Sequence, residues 1–263
     1  MMIERVLLLL PVLAVCSSAQ AGWDVGGGLE DYQWQEYPAG YAGTPRESGM
    51  RSALFVNWTQ DGDSDTRFAW RAKLYGGTVN YDTFVVSTGA PVSTQTDYSG
   101  AVSEGQLFYR DDLGAYKLDY LSGLGLDAWR RRIQNYGGDQ IEDYSILFLR
   151  AGLRLAKSRH EAGFHGEWGI KFPVSTRENA HLDSMGYTSN PAISPKGELS
   201  GYAEIGYRIN ASFDLVGYYD SWRFGQSPDV IANRPTDPPG SYWIIYQPKS
   251  SMNALGAKLL VSF

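Results

Sequence analysis

The chain has 263 residues, 43% of them hydrophobic and 14% aromatic, with 18 Tyr, 8 Trp and 30 Gly. Its 23 basic and 29 acidic residues leave a net charge of −6, which argues against a nucleic-acid surface, and a single Cys excludes a disulfide framework and a cysteine-based zinc site. No bundle of transmembrane helices is encoded, because no apolar run approaches the roughly 20 residues that such a helix needs.

The chain opens with an address. Arg5 leads into the apolar run Val6 to Val15, and small residues follow at Ala19-Gln20-Ala21. That order reads as a secretory signal peptide over residues 1–21 with an A-x-A cleavage site after Ala21. An uncleaved anchor is the alternative, but the run is too short to cross a bilayer. A lipidated Cys16 is a second alternative, but Val15 stands where a small residue belongs. Cleavage removes Cys16 and leaves 22–263 as one domain, without an internal repeat, linker or low-complexity tract.

From there apolar residues recur with a period of two, which predicts strands. Ten are expected, over 23–36, 48–60, 66–81, 97–110, 116–132, 143–157, 161–175, 197–210, 212–225 and 250–263. The segment from Arg67 to Tyr75 sets the pattern, with Phe68, Trp70, Ala72 and Leu74 on one face and Arg67, Arg71 and Lys73 on the other. A slip of one residue would exchange the faces, so register is strongly specified. Short turns are predicted at 61–65, 111–114, 158–160 and 210–211, and longer connections at 37–47, 82–96, 133–142, 176–196 and 226–249. The long connections at 82–96 and 226–249 leave eight or twelve strands as alternatives. Each predicted strand exceeds the roughly 9–11 residues that cross a bilayer at a tilt.

Two architectures alternate in this way. A soluble sandwich or lipocalin-like barrel buries its apolar face, whereas a membrane barrel turns that face to lipid. The many full charges on the polar face favour the second, as does the segment ending the chain. There Leu255, Ala257, Leu259, Val261 and Phe263 share one face and an aromatic residue stands last. The abundant Tyr and Trp suit girdles at the two membrane interfaces.

A signal peptide, a cysteine-free domain and a final alternating strand ending in Phe263 resemble the Gram-negative outer-membrane β-barrel proteins. The resemblance covers the domain from 22 onward. It implies an all-β fold, an antiparallel up-and-down transmembrane β-barrel in the outer membrane. It also implies that Leu255, Ala257, Leu259, Val261 and Phe263 form the signal read by the barrel-assembly machinery.

Inside such a barrel the polar faces bring together Arg67, Arg71, Lys73, Glu104, Arg150, Arg154, Glu167, Lys171, Glu204, Arg208, Asp214 and Asp220, together with Arg51, Arg110, Lys117, Asp119, Asp127, Glu198 and Lys258. Isolated buried charges are costly, so these are expected to pair across strands as a lumen charge network. A ten-stranded barrel lies near the small end, where side chains fill the interior. The reading favoured is a plugged barrel displaying five long loops for structural or binding roles. A narrow solute pore and an omptin-like or lipid-modifying enzyme are the alternatives.

Signs of catalysis are thin. His160 falls in a short turn, His165 beside Glu167, and His181 in the loop sequence Glu178-Asn179-Ala180-His181-Leu182-Asp183. Omptins, the ten-stranded outer-membrane proteases, set a close Asp pair against an Asp-x-His pair. Here His181 and Asp183 stand in reversed order and Asp82 and Asp97 are far apart, so no catalytic residue is assigned. Ser227 lacks a Gly-x-Ser-x-Gly context, and Gly26-Gly27-Gly28 lies within a strand, where it lets the strand bend sharply or pack closely rather than bind phosphate. No metal site and no cofactor are expected. The expected partners are outer-membrane lipid and lipopolysaccharide, the assembly machinery and an extracellular ligand that the sequence does not name.

Overall fold

The computed structural model describes residues 21–39, 43–60, 62, 64–85, 88–134, 139–158 and 161–263. The predicted signal peptide, Cys16 and His160 lie outside the described residues, apart from Ala21.

Strands dominate, as the two-residue period requires. They are β1 (Ala21–Tyr37), β2 (Arg46–Gln60), β3 (Thr66–Phe84), β4 (Pro91–Leu113), β5 (Tyr116–Ile133), β6 (Gln140–Ala156), β7 (Gly163–Asn179), β8 (Lys196–Glu198), β9 (Ser200–Arg208), β10 (Phe213–Gly225), β11 (Val230–Ala232), β12 (Trp243–Ile245) and β13 (Lys249–Ser262). Each of β1 to β6 pairs antiparallel with the next, β7 pairs with β9, β9 with β10, β10 with β13, and β13 returns to β1. The ring is a closed barrel of ten staves. One stave is split into β8 and β9 at Leu199, and β11 with β12 forms a separate two-stranded tip on the β10–β13 hairpin.

Every predicted strand has its counterpart, with two departures. The expected loop at 82–96 is instead paired up to Phe84 and Pro91, because its Ser, Thr and Gln residues continue the ladder; Asp82 faces Ser93 and Thr78 faces Asp97. The second departure concerns aromatic residues. At the short-turn end an outward girdle is present, where Trp23 meets Trp70, Tyr109 meets Tyr120 and Phe164 meets Tyr207. Yet Tyr32, Trp34, Tyr75, Tyr98, Trp129, Tyr144, Phe148, Trp222 and Phe224 are buried within the lumen. Their own strand parity puts them there, on the same face as the charges.

The outer wall is apolar. Leu54, Phe68, Leu74, Leu124, Leu149, Phe164, Ile170, Ile205, Leu215 and Leu255 are all half or more exposed apart from Ile170, which is 49% exposed. So wide an exposed apolar surface does not suit a soluble monomer and matches the band of a membrane barrel. Closure is tight at the β1–β13 seam. A Cβ at Gly26 or Gly28 would overlap the backbone of Leu259 or Ala257, so the glycine run permits close approach. Trp23 and Phe263 exchange backbone hydrogen bonds at the end of that seam.

Candidate functional site

The lumen is built in tiers, because inward residues on neighbouring tilted strands meet at the same height. At the short-turn end Asp119, fully buried, accepts from Arg67 (3.3 Å) and Arg110 (2.7 Å). Asp214 pairs with His165 (2.9 Å) and Arg208 (3.2 Å). Arg154 sets its guanidinium 5.9 Å from the Phe108 ring.

At mid-height Glu167 bridges Arg71 (2.5 Å) and Arg150 (2.7 Å), and Arg150 continues to Glu104 (2.9 Å). Lys258 donates to Glu204 (2.8 Å). Glu30 accepts from Arg51 (2.5 Å), Lys73 and Tyr218 (2.8 Å). Above them Lys171 pairs with Asp220 and lies 3.5 Å from the Trp222 ring centre, while Asp127 accepts from Tyr75 (2.9 Å) and Trp222 (3.0 Å). Opposite charges and rings are thus set against each other across the bore. Two small cavities, of about 80 and about 50 Å³, share Asn57, Arg71, Glu204 and Lys258. Each admits a few water molecules.

Next comes an aromatic floor. Trp34 packs edge-on against Trp129 and Tyr144, Trp129 stacks on Tyr144, and Phe148 meets Trp222, which stacks with Phe224. These rings come from β1, β5, β6 and β10 and so reach across the bore.

Between this floor and the long loops lies a group that sequence reasoning missed. Arg131 on β5, buried, approaches Glu36 (3.2 Å), Glu142 (3.1 Å) and Glu47 (3.6 Å), and Glu178 is buried beside them. Glu142 and Glu178 sit at strand ends that the sequence reading gave to loops, Glu36 is the last residue of the predicted first strand, and Glu47 lies one residue before the predicted second strand. Arg131 was legible in principle, because it alternates with Arg130 and Arg132. Glu30 was equally legible, two residues from Tyr32 and four from Trp34 on one face.

Two loops lie over this group. Ala180, Leu182 and Ile193 of the 180–195 connection pack with Ala232 of the 226–248 connection into a small apolar core. Thr188 donates its backbone N–H to the carbonyl of Asn233 (2.8 Å), and Gln247 donates to Glu36 (3.2 Å). We call the pair the cap.

On the outer wall at the same height, His181 Nε2 lies 2.9 Å from Asp143, whose carboxylate takes two bonds from Arg130 (2.7 and 2.8 Å). His181 has a left-handed backbone, φ 48°, and begins the 3-10 turn Leu182–Met185. Burial alone would raise the Asp143 carboxyl, but the Arg130 and His181 bonds hold it below the ordinary carboxylate value. Asp97 is likewise held low by hydrogen bonds from Arg132 and Thr78.

The residues compared with the omptin site are not brought together. His181 pairs with Asp143 rather than Asp183, Asp82 accepts from Ser93 (2.6 Å), and Asp97 is taken by Arg132 and Thr78. Among the described residues no cluster of three or more His, Asp or Glu has the geometry of a metal site. Leu255, Ala257, Leu259 and Phe263 are exposed on the outer wall and Val261 is half-buried there.

No family model and no curated protein matches the sequence. Among solved structures, the outer membrane protease OmpT of Escherichia coli is similar over 92% of this chain and 96% of its own, with a TM-score of 0.54 and 11% identity. The transport unit of the Escherichia coli autotransporter AIDA-I (TM-score 0.44, 8% identity, covering 94% of this chain and 91% of that one) is also similar. So is Neisserial surface protein A (TM-score 0.37, 12% identity, 93% and 99%). The chain has the fold of the small Gram-negative outer-membrane β-barrels.

Proposed function

We propose that this protein is a non-conducting outer-membrane barrel that displays its long loops to the exterior for a structural or binding role. The short turns then face the periplasm, and the apolar wall meets lipid and the acyl chains of lipopolysaccharide. The final strand, with Leu255, Ala257, Leu259, Val261 and Phe263, serves as the signal for the assembly machinery, after export directed by residues 1–21.

The observation that carries the reading is the aromatic floor. Trp34, Trp129, Tyr144, Phe148 and Phe224 are each no more than 2% exposed, which supports a bore filled by side chains at that height. Below it most of the buried cations are paired with carboxylates from other strands, which favours a fixed network over a conducting path. Planar-bilayer recording on the purified protein tests this. No steady conductance is expected, and a stable, ion-selective current would establish the pore instead.

The same reading assigns the chain no turnover. It rests on the partners these residues take, Ser93 for Asp82, Arg132 and Thr78 for Asp97, and Asp143 for His181. Incubation with peptide and lipopolysaccharide substrates is expected to leave both intact, and a turnover lost on mutating Asp143 or His181 would reverse the assignment.

A further inference from the structure

The group beneath the cap carries more negative charge than its surroundings compensate. Four carboxylates, from β1, β2, β6 and β7, face one guanidinium. Arg131 gives two bonds to Glu36 and points its Nε toward Glu142 and Glu47. Glu47 is completed by Thr96 (2.9 Å) and Tyr98, and Glu142 by Gln140 (2.5 Å) and Tyr144 (3.2 Å). Glu178 differs. It is 2% exposed; the Tyr144 hydroxyl, which also serves Glu142, lies against its carboxylate, and its Oε2 has no hydrogen-bond partner. The other titratable groups near the cluster, Tyr32, Tyr81, Tyr98 and Tyr144, are neutral at physiological pH and supply no positive charge.

A buried carboxylate with one oxygen unpartnered, in a group where four carboxylates share one guanidinium, is not sustained in its charged form. Either a cation or a proton must enter. Among the described residues no group of His, Cys, Asp and Glu is arranged to hold a metal ion, and a proton needs no such ligand shell. Two carboxyls that share a site ionise as a coupled pair, with one proton held tightly.

The cap depends on this group. Glu178 exchanges both backbone hydrogen bonds with Ile193 (2.8 and 3.0 Å), and Ile193 belongs to the apolar core that joins the two loops. Gln247, from the other loop, bonds to Glu36. Ionising Glu178 therefore draws water to the place where the two loops are fastened.

We infer that Glu142 and Glu178 form a proton-binding site that latches the cap, so that the cap is shut while the pair holds a proton and opens when the proton leaves. This inference stands apart from whether the lumen conducts. The site lies beyond the lipid-facing band, since the outward residues at its height are the charged Arg130, Arg132 and Arg177. There burial and then the neighbouring Glu142 push the Glu178 carboxyl well above its ordinary value, and burial likewise raises Glu142 despite Arg131. A carboxyl raised in the closed form supports closure fully at low pH. That support is lost as pH rises through its closed-state value.

Amide hydrogen exchange of the intact barrel, read on peptides covering residues 176–195 and 226–248 and corrected for the intrinsic rate, tests the latch. From about pH 5 upward the opening constant of the cap is expected to rise about tenfold per pH unit until the pair has titrated. Glu178→Gln is expected to flatten that slope and keep the cap protected, and Glu142→Gln to reduce it. Glu161→Gln, on a short turn at the opposite end, is expected to keep the wild-type slope. A flat wild-type profile, a wild-type slope in Glu178→Gln, or protection that follows added Mg²⁺ or Ca²⁺ at fixed pH would overturn the inference. The wild-type profile stands as a test even where a variant does not assemble.

Discussion

Trp129 lies flat on Tyr144, with ring centres 4.8 Å apart and planes 8° from parallel. The two residues face each other on β5 and β6, so the stack is a cross-strand pair turned into the bore rather than toward lipid. Trp129→Ala removes the larger ring from a site 2% exposed. A loss of about 3–5 kcal/mol is expected for such a truncation, read as a lower urea midpoint for the purified barrel. Unchanged stability would mean that the floor is not packed as described.

Glu30 holds three partners at once, Arg51, Lys73 and Tyr218. Glu30→Ala leaves two cations without their carboxylate. Breaking a buried pair in this way costs about 3–5 kcal/mol, and Glu30→Gln is expected to cost less because it preserves hydrogen bonding. Gel migration before and after heating, across a denaturant series, ranks the three proteins.

Gly100 faces the Tyr75 ring, and a Cβ there would overlap both that ring and Trp129. Gly100→Val is therefore expected to destabilise by about 1–3 kcal/mol through overpacking, whereas Gly105→Ala, with open space around it, is expected to be near neutral. Equal effects in the same urea titration would contradict the close approach.

The His181–Asp143 contact ties the 180–195 connection to the outer wall. Because the folded Asp143 carboxyl sits below its ordinary value, its contribution is present above the ordinary carboxylate range and is lost as pH falls through the folded value. At about pH 5 and below, where the latch holds the cap shut, limited proteolysis of this loop in the wild type is expected to accelerate only as strongly acid conditions are reached. In Asp143→Asn it is expected to be fast already at about pH 5. Identical cleavage rates in both proteins would remove the anchor.

Phe263 is 78% exposed and is held through its backbone by Trp23. Its ring makes little of the fold's stability. Deleting it is expected to lower the amount of barrel in the outer membrane while leaving the midpoint of refolded protein nearly unchanged. Normal membrane levels after deletion would count against the assembly role.

The ten staves were legible because a two-residue period fixes both the strand and its face, as from Arg67 to Tyr75. Turn chemistry at Gly62 and Gly114 marked two of the hairpins. Partners across the bore were not legible. Nothing in the sequence joins Arg71 to Glu167, 96 positions apart, since that contact depends on stagger around the ring. His181 shows the same limit. The nearby Asp183 is its obvious partner in sequence, yet the strand brings Asp143. The aromatic floor was hidden for another reason. Tyr and Trp are at home in lipid interfaces and in packed interiors alike, so composition alone does not divide them, and only the parity of Trp34 and Trp129 does.

The pairing of β1 with β13 has a consequence for biogenesis. These strands lie at opposite extremes of the sequence, so their ladder cannot form until nearly the whole chain is available. Until then two bare sheet edges, both apolar on one side, await each other and invite pairing with other molecules. Such a chain must be kept apart from its neighbours and joined to itself in one late event, which makes the narrow glycine seam at Gly26 and Gly28 the last part of the ring to gain its stability.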